Sequence, residues 1–180
     1  MNLNEAIKKG FLFLKKKDVI SPQLDAELLL SKVIRKDRKY LALNNNEILN
    51  EKKIDNYNFL LKSRSLGKPI AYLLNKKDFW KDEFYVNNNV LVPRPDTEIV
   101  VEEILSMTKF KNKINFLDIG AGSGCIILSI LKEKIKFNGV ALDISKKSLE
   151  ICRINAKILN VSNRIKFFKS DIDNFNYGKY

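Results

Sequence analysis

The sequence predicts an α/β protein made of a small helical bundle, a β-hairpin linker and the first half of a doubly wound parallel sheet. Three observations carry this prediction. Apolar residues recur at helical spacing over residues 1–74. Short β-prone segments occupy residues 75–92. Over residues 93–180, strand-like and helix-like segments alternate, which is the pattern of parallel strands joined by crossover helices.

Residues 1–74 predict three helices and contain no glycine-rich loop. Ser21 is a good N-cap and Pro22 suits the first helical position, so a helix begins there. Gly67 and Pro69 end the third helix. The apolar stripes are Leu3, Ile7, Phe11 and Leu14, then Leu24, Leu28 and Leu29, then Ile54, Tyr57 and Leu61. Such stripes indicate a recognition or packing module rather than a catalytic one.

Residues 75–98 turn from helical to β-prone and then to proline-rich. Phe79-Trp80 and Phe84-Tyr85-Val86 are joined by Lys81-Asp82-Glu83, which predicts a hairpin. Two prolines then flank Arg94 and hold the chain extended. This segment is either a stiff linker or a way to fix the charge of Arg94 in a pocket.

The alternating segments from Ile114 onward predict three strands and two helices. The strands are expected over residues 114–119, 139–143 and 165–168, and the first helix over 125–134. Ser145 caps the second helix, because a hydroxyl can accept from the free N–H groups of the first turn. The apolar stripe of that helix is Leu149, Cys152, Ala156 and Leu159.

A Gly-x-Gly-x-Gly turn directly follows the first strand and opens a helix, which is the context that a nucleotide-binding loop requires. Glycines let the backbone approach a ligand and leave N–H groups free at the helix N-terminus. Asp143 ends the next strand, where a carboxylate can accept hydrogen bonds from both ribose hydroxyls. The predicted cofactor-binding loop is Gly120, Ala121, Gly122, Ser123 and Gly124.

The residues around this loop favour S-adenosylmethionine (SAM) over a dinucleotide. A dinucleotide loop requires Gly-x-Gly-x-x-Gly, and Cys125 occupies its last position. Asp118 lies at the mouth of the loop, where its charge would repel a pyrophosphate but attract the ammonium and sulfonium of SAM. After the third strand, Asp171 is expected to accept from the adenine amino group and Ile172 to pack on the ring, although Ser-Asp there is also an ordinary turn.

Composition excludes several function classes. The 180 residues include 33 Lys and Arg, 21 Asp and Glu and no His, for a net charge of +12. Without His, the chain lacks Ser-His and Cys-His nucleophile pairs and the ligands of most transition-metal sites. The Lys excess accompanies heavy Asn and Ile use, which indicates coding bias rather than direct nucleic-acid binding. No apolar run could span a bilayer, so the sequence predicts a cytoplasmic protein.

The sequence resembles the HemK/PrmC family of protein-(glutamine-N5) methyltransferases, which act on peptide chain release factors. The similarity extends over essentially the whole chain, and its most specific parts are residues 67–73, Phe79-Trp80 and residues 91–98. It implies a five-helix N-terminal domain that helps to dock the release factor, a hairpin linker, and a Rossmann-like class I SAM methyltransferase domain. It also implies methyl transfer from SAM to the glutamine amide nitrogen in the Gly-Gly-Gln loop of class 1 release factors.

The resemblance further implies which residues hold the ligands. Residues 120–124 and Asp143 would hold SAM, Ile172 would pack against adenine, and Arg94 is expected in the substrate pocket. The family's Asn-Pro-Pro-Tyr motif, which orients the substrate amide, occurs nowhere in the 180 residues. No catalytic residue is therefore assigned, and the motif is expected beyond Tyr180. We expect the chain to be a fragment in which the strand over residues 114–119 is an exposed apolar edge. We therefore expect the second half to be poorly stable while the helical domain folds.

Three alternatives stay open from the sequence. The first is a non-catalytic remnant that binds release factor or SAM without transferring methyl. The second is an NAD-dependent oxidoreductase, which Asp118 and Cys125 disfavour. The third is an N6-adenine methyltransferase. Such enzymes also use an Asn-Pro-Pro-Tyr motif, but the segment over residues 93–98 argues against this class. The expected partners are class 1 release factors, with no nucleic acid, metal or membrane, and the chain is expected to be a monomer.

Overall fold

The computed structural model describes residues 1–176 and divides the chain into two compact units, Met1–Leu74 and a second unit that begins at Asn75. The first unit is helical, and the second contains an antiparallel hairpin and a parallel sheet with helices. The predicted fold class is therefore confirmed. The last four positions of the predicted 93–180 domain lie outside the described residues.

Five helices form the first unit, as the family resemblance implies. Residue spacing alone found three of them, because the other two have only six and five residues, too few for a stripe to repeat. Asp37 caps the six-residue helix by accepting from Tyr40 N–H at 2.8 Å. The helices are α1 (Leu3–Lys15), α2 (Pro22–Ile34), α3 (Arg38–Leu43), α4 (Glu51–Ser65) and α5 (Ile70–Leu74).

The core of the first unit lies where α1, α2 and α4 meet. Ala26, Leu29 and Leu30 of α2 are fully buried, whereas Leu24 is 41% exposed, so the predicted stripe of α2 was wrong at that position. A Cβ on Gly10 of α1 would lie 2.2 Å from the Tyr57 hydroxyl oxygen, so a larger residue there would force the buried Tyr57 side chain to move. The α2 contacts thus follow the side that faces α1 and α4 rather than the leucine spacing.

The predicted hairpin is present, but its turn lies elsewhere. Strand β1 (Lys76–Phe79) pairs antiparallel with β2 (Asp82–Tyr85), and Phe79 lies opposite Asp82. The turn is therefore Trp80-Lys81 and not the triplet from Lys81 to Glu83. Burial decides this register, because Phe79 and Phe84 are both buried with ring centroids 6.0 Å apart. The N–H of Trp80 donates to Glu98 Oε1 at 2.8 Å, which holds the turn.

A three-stranded parallel sheet with strand order β3-β4-β5 follows the hairpin. Helices α7 and α8 connect its successive strands, so the predicted strand–helix alternation is confirmed. The four predicted stripe residues of α8 are all buried. The elements are α6 (Glu98–Met107), β3 (Asn115–Ile119), α7 (Cys125–Glu133), β4 (Asn138–Asp143), α8 (Lys146–Ile158) and β5 (Ile165–Lys169).

Strand β3 forms one edge of this sheet within the described part of the chain. It pairs with β4 only, and its last residue, Ile119, is 54% exposed. One row of its backbone N–H and C=O groups therefore faces away from the sheet. Within residues 1–176, no helix is both long enough and apolar enough to cross a membrane.

Candidate cofactor site

The glycine loop connects β3 to α7 and is anchored on the end of β4. The N–H groups of Gly120 and Ala121 both donate to the Leu142 carbonyl oxygen, at 2.8 and 3.0 Å. Within the loop, Gly124 N–H donates to the Ala121 carbonyl oxygen at 2.7 Å. These bonds set a tight turn directly at the carboxyl end of the parallel strands, where ligands bind in open α/β sheets.

Three glycines of the loop have left-handed backbone conformations, but they have different surroundings. A Cβ on Gly124, where φ is 79°, would lie 2.4 Å from Cys152 Sγ, so this glycine allows the loop to pack onto α8. A Cβ on Gly120 would have no heavy atom within 4 Å, and one on Gly122 would meet only the Gly120 carbonyl oxygen, at 3.8 Å. The Gly120–Gly122 side of the loop is therefore open to a ligand.

The Asp143 carboxylate is joined directly to the loop. Its Oδ2 accepts from Gly122 N–H at 2.9 Å, and its Oδ1 accepts from Ser145 N–H at 2.8 Å. The side chain is buried, with the residue 8% exposed. Because a carboxylate has about four lone-pair sites, each oxygen keeps capacity for a further donor such as a hydroxyl. The structure thus brings together the loop and the acid that the sequence singled out.

Asp118 is half-buried in the penultimate position of β3, two residues before Gly120. Burial raises the pKa of its carboxyl to about 6. A hydrogen bond with the Ile127 backbone partly opposes this rise, and the negative charge of Asp143 adds to it. Two carboxylates therefore share a poorly solvated region, and a cationic ligand group there would stabilise their ionised forms.

The two cysteines are free thiols next to Gly124, since Cys125 begins α7 directly after it and Cys152 Sγ of α8 lies beside it. Burial raises the pKa of both the Cys125 and the Cys152 thiol, and the negative charge of Asp118 adds to the rise in each case. Because the thiolate is the reactive form, these environments suit packing rather than nucleophilic chemistry.

Asp171 and Ile172 follow β5 at the same end of the sheet. Ser170 N–H donates to the Asp143 carbonyl oxygen at 3.3 Å, which places this segment next to the acid. Asp171 is exposed, and its hydrogen bonds with the Asn174 side chain and backbone lower the pKa of its carboxyl. Ile172 is 49% exposed, so its side chain is accessible to a ligand.

Arg94 is exposed and precedes the 3₁₀ turn Pro95–Thr97. Its carbonyl oxygen accepts from Thr97 N–H at 3.1 Å. Among residues 1–176, no hydrogen bond or ion pair joins its side chain to the glycine loop. The assignment of Arg94 to a substrate pocket stays a prediction.

Sequence reasoning missed Asn155, which is fully buried on α8 and hydrogen-bonded to the loop. The available signal was its position. Asn155 lies between Cys152 and Ala156 on the apolar stripe of α8, where a buried polar side chain must find partners.

The parallel sheet, its glycine loop and the acid at the end of β4 define a Rossmann-like methyltransferase domain, and residues 110–179 match the family model described as a methyltransferase domain. Residues 5–74 match the model of the PrmC N-terminal domain. The predicted resemblance to the HemK/PrmC family is therefore confirmed: the chain combines a PrmC N-terminal domain with a methyltransferase domain.

Curated relatives agree with this assignment. The release factor glutamine methyltransferase of Leptospira interrogans (strain 56601) is 42% identical over 170 residues, which are 92% of this chain and 59% of that protein. The enzyme of the same name from Buchnera aphidicola subsp. Acyrthosiphon pisum is 40% identical over 171 residues, covering 95% of this chain and 60% of that protein. The chain thus spans about 60% of the length of these relatives.

Solved structures match the chain in part. An RNA methyltransferase from Salinibacter ruber in complex with S-adenosyl-L-homocysteine is 25% identical, with a TM-score of 0.41. The match covers 47% of this chain and 53% of that one.

Proposed function

We propose that this chain binds SAM at the glycine loop and supplies the cofactor side of a protein-(glutamine-N5) methyltransferase that acts on class 1 peptide chain release factors. The observation that carries the proposal is the combination of a PrmC N-terminal domain and a methyltransferase domain in one chain. The open side of the loop at Gly120 and Gly122 leaves room for the cofactor.

The residues around the loop suit the chemical groups of SAM. The spare lone pairs of Asp143 would accept from the ribose hydroxyls. Asp118, which is mostly ionised at pH 7 with its pKa of about 6, would attract the ammonium group. Asp171 and Ile172 would receive the adenine, through a hydrogen bond to its amino group and contact with its ring. We place Arg94 in the substrate pocket, where the proline-flanked backbone would limit its freedom.

SAM supplies the methyl group through its sulfonium. The S–CH₃ bond breaks as the bond from the amide nitrogen to the methyl carbon forms, so S-adenosyl-L-homocysteine (SAH) leaves and the nitrogen loses one proton. The protein's main contribution to such a reaction is orientation of the two reactants. No Asn-Pro-Pro-Tyr sequence occurs in the chain. We therefore assign no residue of this chain to orienting the acceptor amide.

A groove on the helical unit supports a docking role for residues 1–74. It encloses about 720 Å³ between α1 and α4, with an apolar floor that includes Tyr57 and Leu61. Three lysines and no acidic residue line it, and these are Lys9, Lys17 and Lys62. We propose that the groove binds an apolar segment of the release factor that carries carboxylates, because such a segment matches both the floor and the charge.

The test of the cofactor proposal is direct binding followed by transfer. Isothermal titration calorimetry on this chain should detect SAM and SAH but not NADH, whereas NADH binding without SAM binding would refute the proposal. Radiolabelled methyl transfer to a release factor then tests the reaction itself. Transfer by the 180-residue chain would exclude the non-catalytic remnant, and SAM binding without transfer would support it.

The docking proposal has a matched control on the same helix. Lys9→Glu reverses a charge that lines the groove, and Lys8→Glu makes the same change on α1 at a position that does not line it. Release-factor affinity should fall about tenfold for Lys9→Glu and by much less for Lys8→Glu, and the difference should shrink at high salt. Equal losses for both variants would indicate general charge attraction and contradict a docking groove.

A further inference from the structure

Asn155 is a buried polar residue whose side chain makes three hydrogen bonds to two backbone segments. Its Oδ1 accepts from Tyr85 N–H at 2.7 Å, and its Nδ2 donates to the Tyr85 carbonyl oxygen at 3.0 Å. The same Nδ2 donates to the Ser123 carbonyl oxygen at 2.9 Å. The residue has no exposed surface. One amide therefore joins α8, the last residue of β2 and the glycine loop.

The contact with Tyr85 copies the pairing between two strands. The Asn155 amide offers one acceptor and one donor to the N–H and C=O of a single residue, as a neighbouring strand would. Tyr85 is the last residue of β2, where the hairpin ladder ends. The Asn155 amide thus fixes the end of the hairpin to α8. Because the residue is fully buried, water cannot replace its hydrogen bonds if they are lost.

The contact with Ser123 fixes one peptide plane of the loop. The Ser123 carbonyl and the Gly124 N–H belong to the same planar peptide unit. Asn155 holds the carbonyl end, and the Ala121 carbonyl oxygen accepts from the N–H end at 2.7 Å. A peptide next to glycine could otherwise rotate at little cost, because glycine tolerates both signs of φ. With both ends held, this plane has one orientation.

We infer that Asn155 is a positioning residue for the cofactor loop, which it holds from the α8 side while Asp143 holds it from β4. Asp143 fixes the Gly122 N–H, and Asn155 fixes the carbonyl of the following residue, Ser123. The two anchors flank the open side of the loop, so its backbone is set before a ligand arrives. This inference rests on the proposed function, since it concerns the affinity of the loop for SAM or SAH.

The test compares two substitutions on α8. Asn155→Asp keeps the acceptor for Tyr85 N–H but replaces the donor that faces two carbonyl oxygens. Ser148→Ala removes another tie from α8, the donation from Ser148 Oγ to the Asn89 carbonyl oxygen at 3.0 Å, which does not involve the loop. Calorimetry should show SAH affinity reduced about tenfold or more in Asn155→Asp and changed less than about twofold in Ser148→Ala.

A stability-matched variant separates positioning from general destabilisation. Val101→Ala shortens a fully buried side chain on α6 that makes no hydrogen bond to the loop. Its unfolding midpoint should fall, yet its SAH affinity should stay near that of the wild type when both are measured well below the midpoint. If Val101→Ala and Asn155→Asp lose affinity in proportion to their loss of stability, Asn155 is a structural residue only and the inference is wrong.

A measurement on the wild type covers the case in which Asn155→Asp does not fold. The side-chain NH₂ resonances of Asn155 should exchange slowly with solvent and should shift on saturation with SAH, because the loop carbonyl they bind lies in the cofactor site. Unshifted resonances at saturation would overturn the inference. A wild-type chain that binds neither SAM nor SAH would refute the proposed function as well, whereas wild-type affinity in Asn155→Asp would refute the inference alone.

Discussion

Asp118 provides the sharpest link between charge, stability and ligand binding in this chain. Replacing it with Asn removes the charge and keeps the shape, including an oxygen for the hydrogen bond with the Ile127 backbone. The carboxyl pKa rises from 3.8 to about 6 in the folded chain, mainly through burial. The folded chain therefore binds the Asp118 proton more tightly than the unfolded chain, so ionisation of this group lowers stability as the pH rises from about 4 to 6.

The size of this effect follows from the pKa difference. A rise of about two pH units corresponds to at most about 3 kcal/mol, at about 1.4 kcal/mol per unit. We expect Asp118→Asn to raise the free energy of unfolding at pH 7 by up to that amount and to change it little at pH 4. The single tryptophan, Trp80, lies in the second unit, so its fluorescence in urea titrations reports on that unit.

Ligand binding should respond in the opposite direction. The ammonium of SAH favours the ionised carboxylate, so wild-type affinity should rise between pH 5 and 7, and Asp118→Asn should bind weakly at both pH values. The reasoning is refuted if Asp118→Asn is no more stable than the wild type at pH 7. If Asp118→Asn is more stable but binds SAH as tightly as the wild type, only the contact between Asp118 and the ammonium group is refuted.

Three further outcomes follow from packing, charge and the sheet edge. Gly124→Ala places a Cβ 2.4 Å from Cys152 Sγ at a position with left-handed backbone. The free energy of unfolding, measured in urea by tryptophan fluorescence, should therefore fall by about 2–4 kcal/mol. Arg64→Met removes the guanidinium whose Nε lies 2.6 Å from the buried Asp25 carboxylate. The free energy of unfolding of the helical unit, followed by circular dichroism, should fall by about 3 kcal/mol, and adding Asp25→Leu should restore most of it. Amide hydrogens should exchange faster in β3 than in β4, because β3 has one neighbouring strand, and equal protection would contradict the edge position.

The sequence predicted most elements of the second unit because their signals are local. A glycine-rich turn between a strand and a helix determines its own conformation through left-handed residues, whatever surrounds it. The α8 stripe was also predicted, since buried residues repeat at the helical period. The hairpin turn was misplaced because its register depends on burying two phenylalanines together, which is a long-range requirement rather than a property of the turn residues.

The site itself was only partly predictable, since hydrogen bonds between distant segments leave no periodic signal. Asn155 contacts Tyr85, 70 positions away, and Ser123, 32 positions away. Nothing within α8 distinguishes this Asn from an exposed one except its place on the apolar stripe.

Asp143 shows why loop geometry and ligand binding are hard to separate in this site. The carboxylate already accepts from two backbone N–H groups without a ligand. Replacing Asp143 with Ala would therefore free the Gly122 N–H and change the loop as well as remove the acceptor for a ribose. A loss of SAM affinity in that variant would say little about direct contact. Variants such as Asp118→Asn, whose side chain keeps its shape and its hydrogen-bond acceptor, test the ligand contact with less change to the loop.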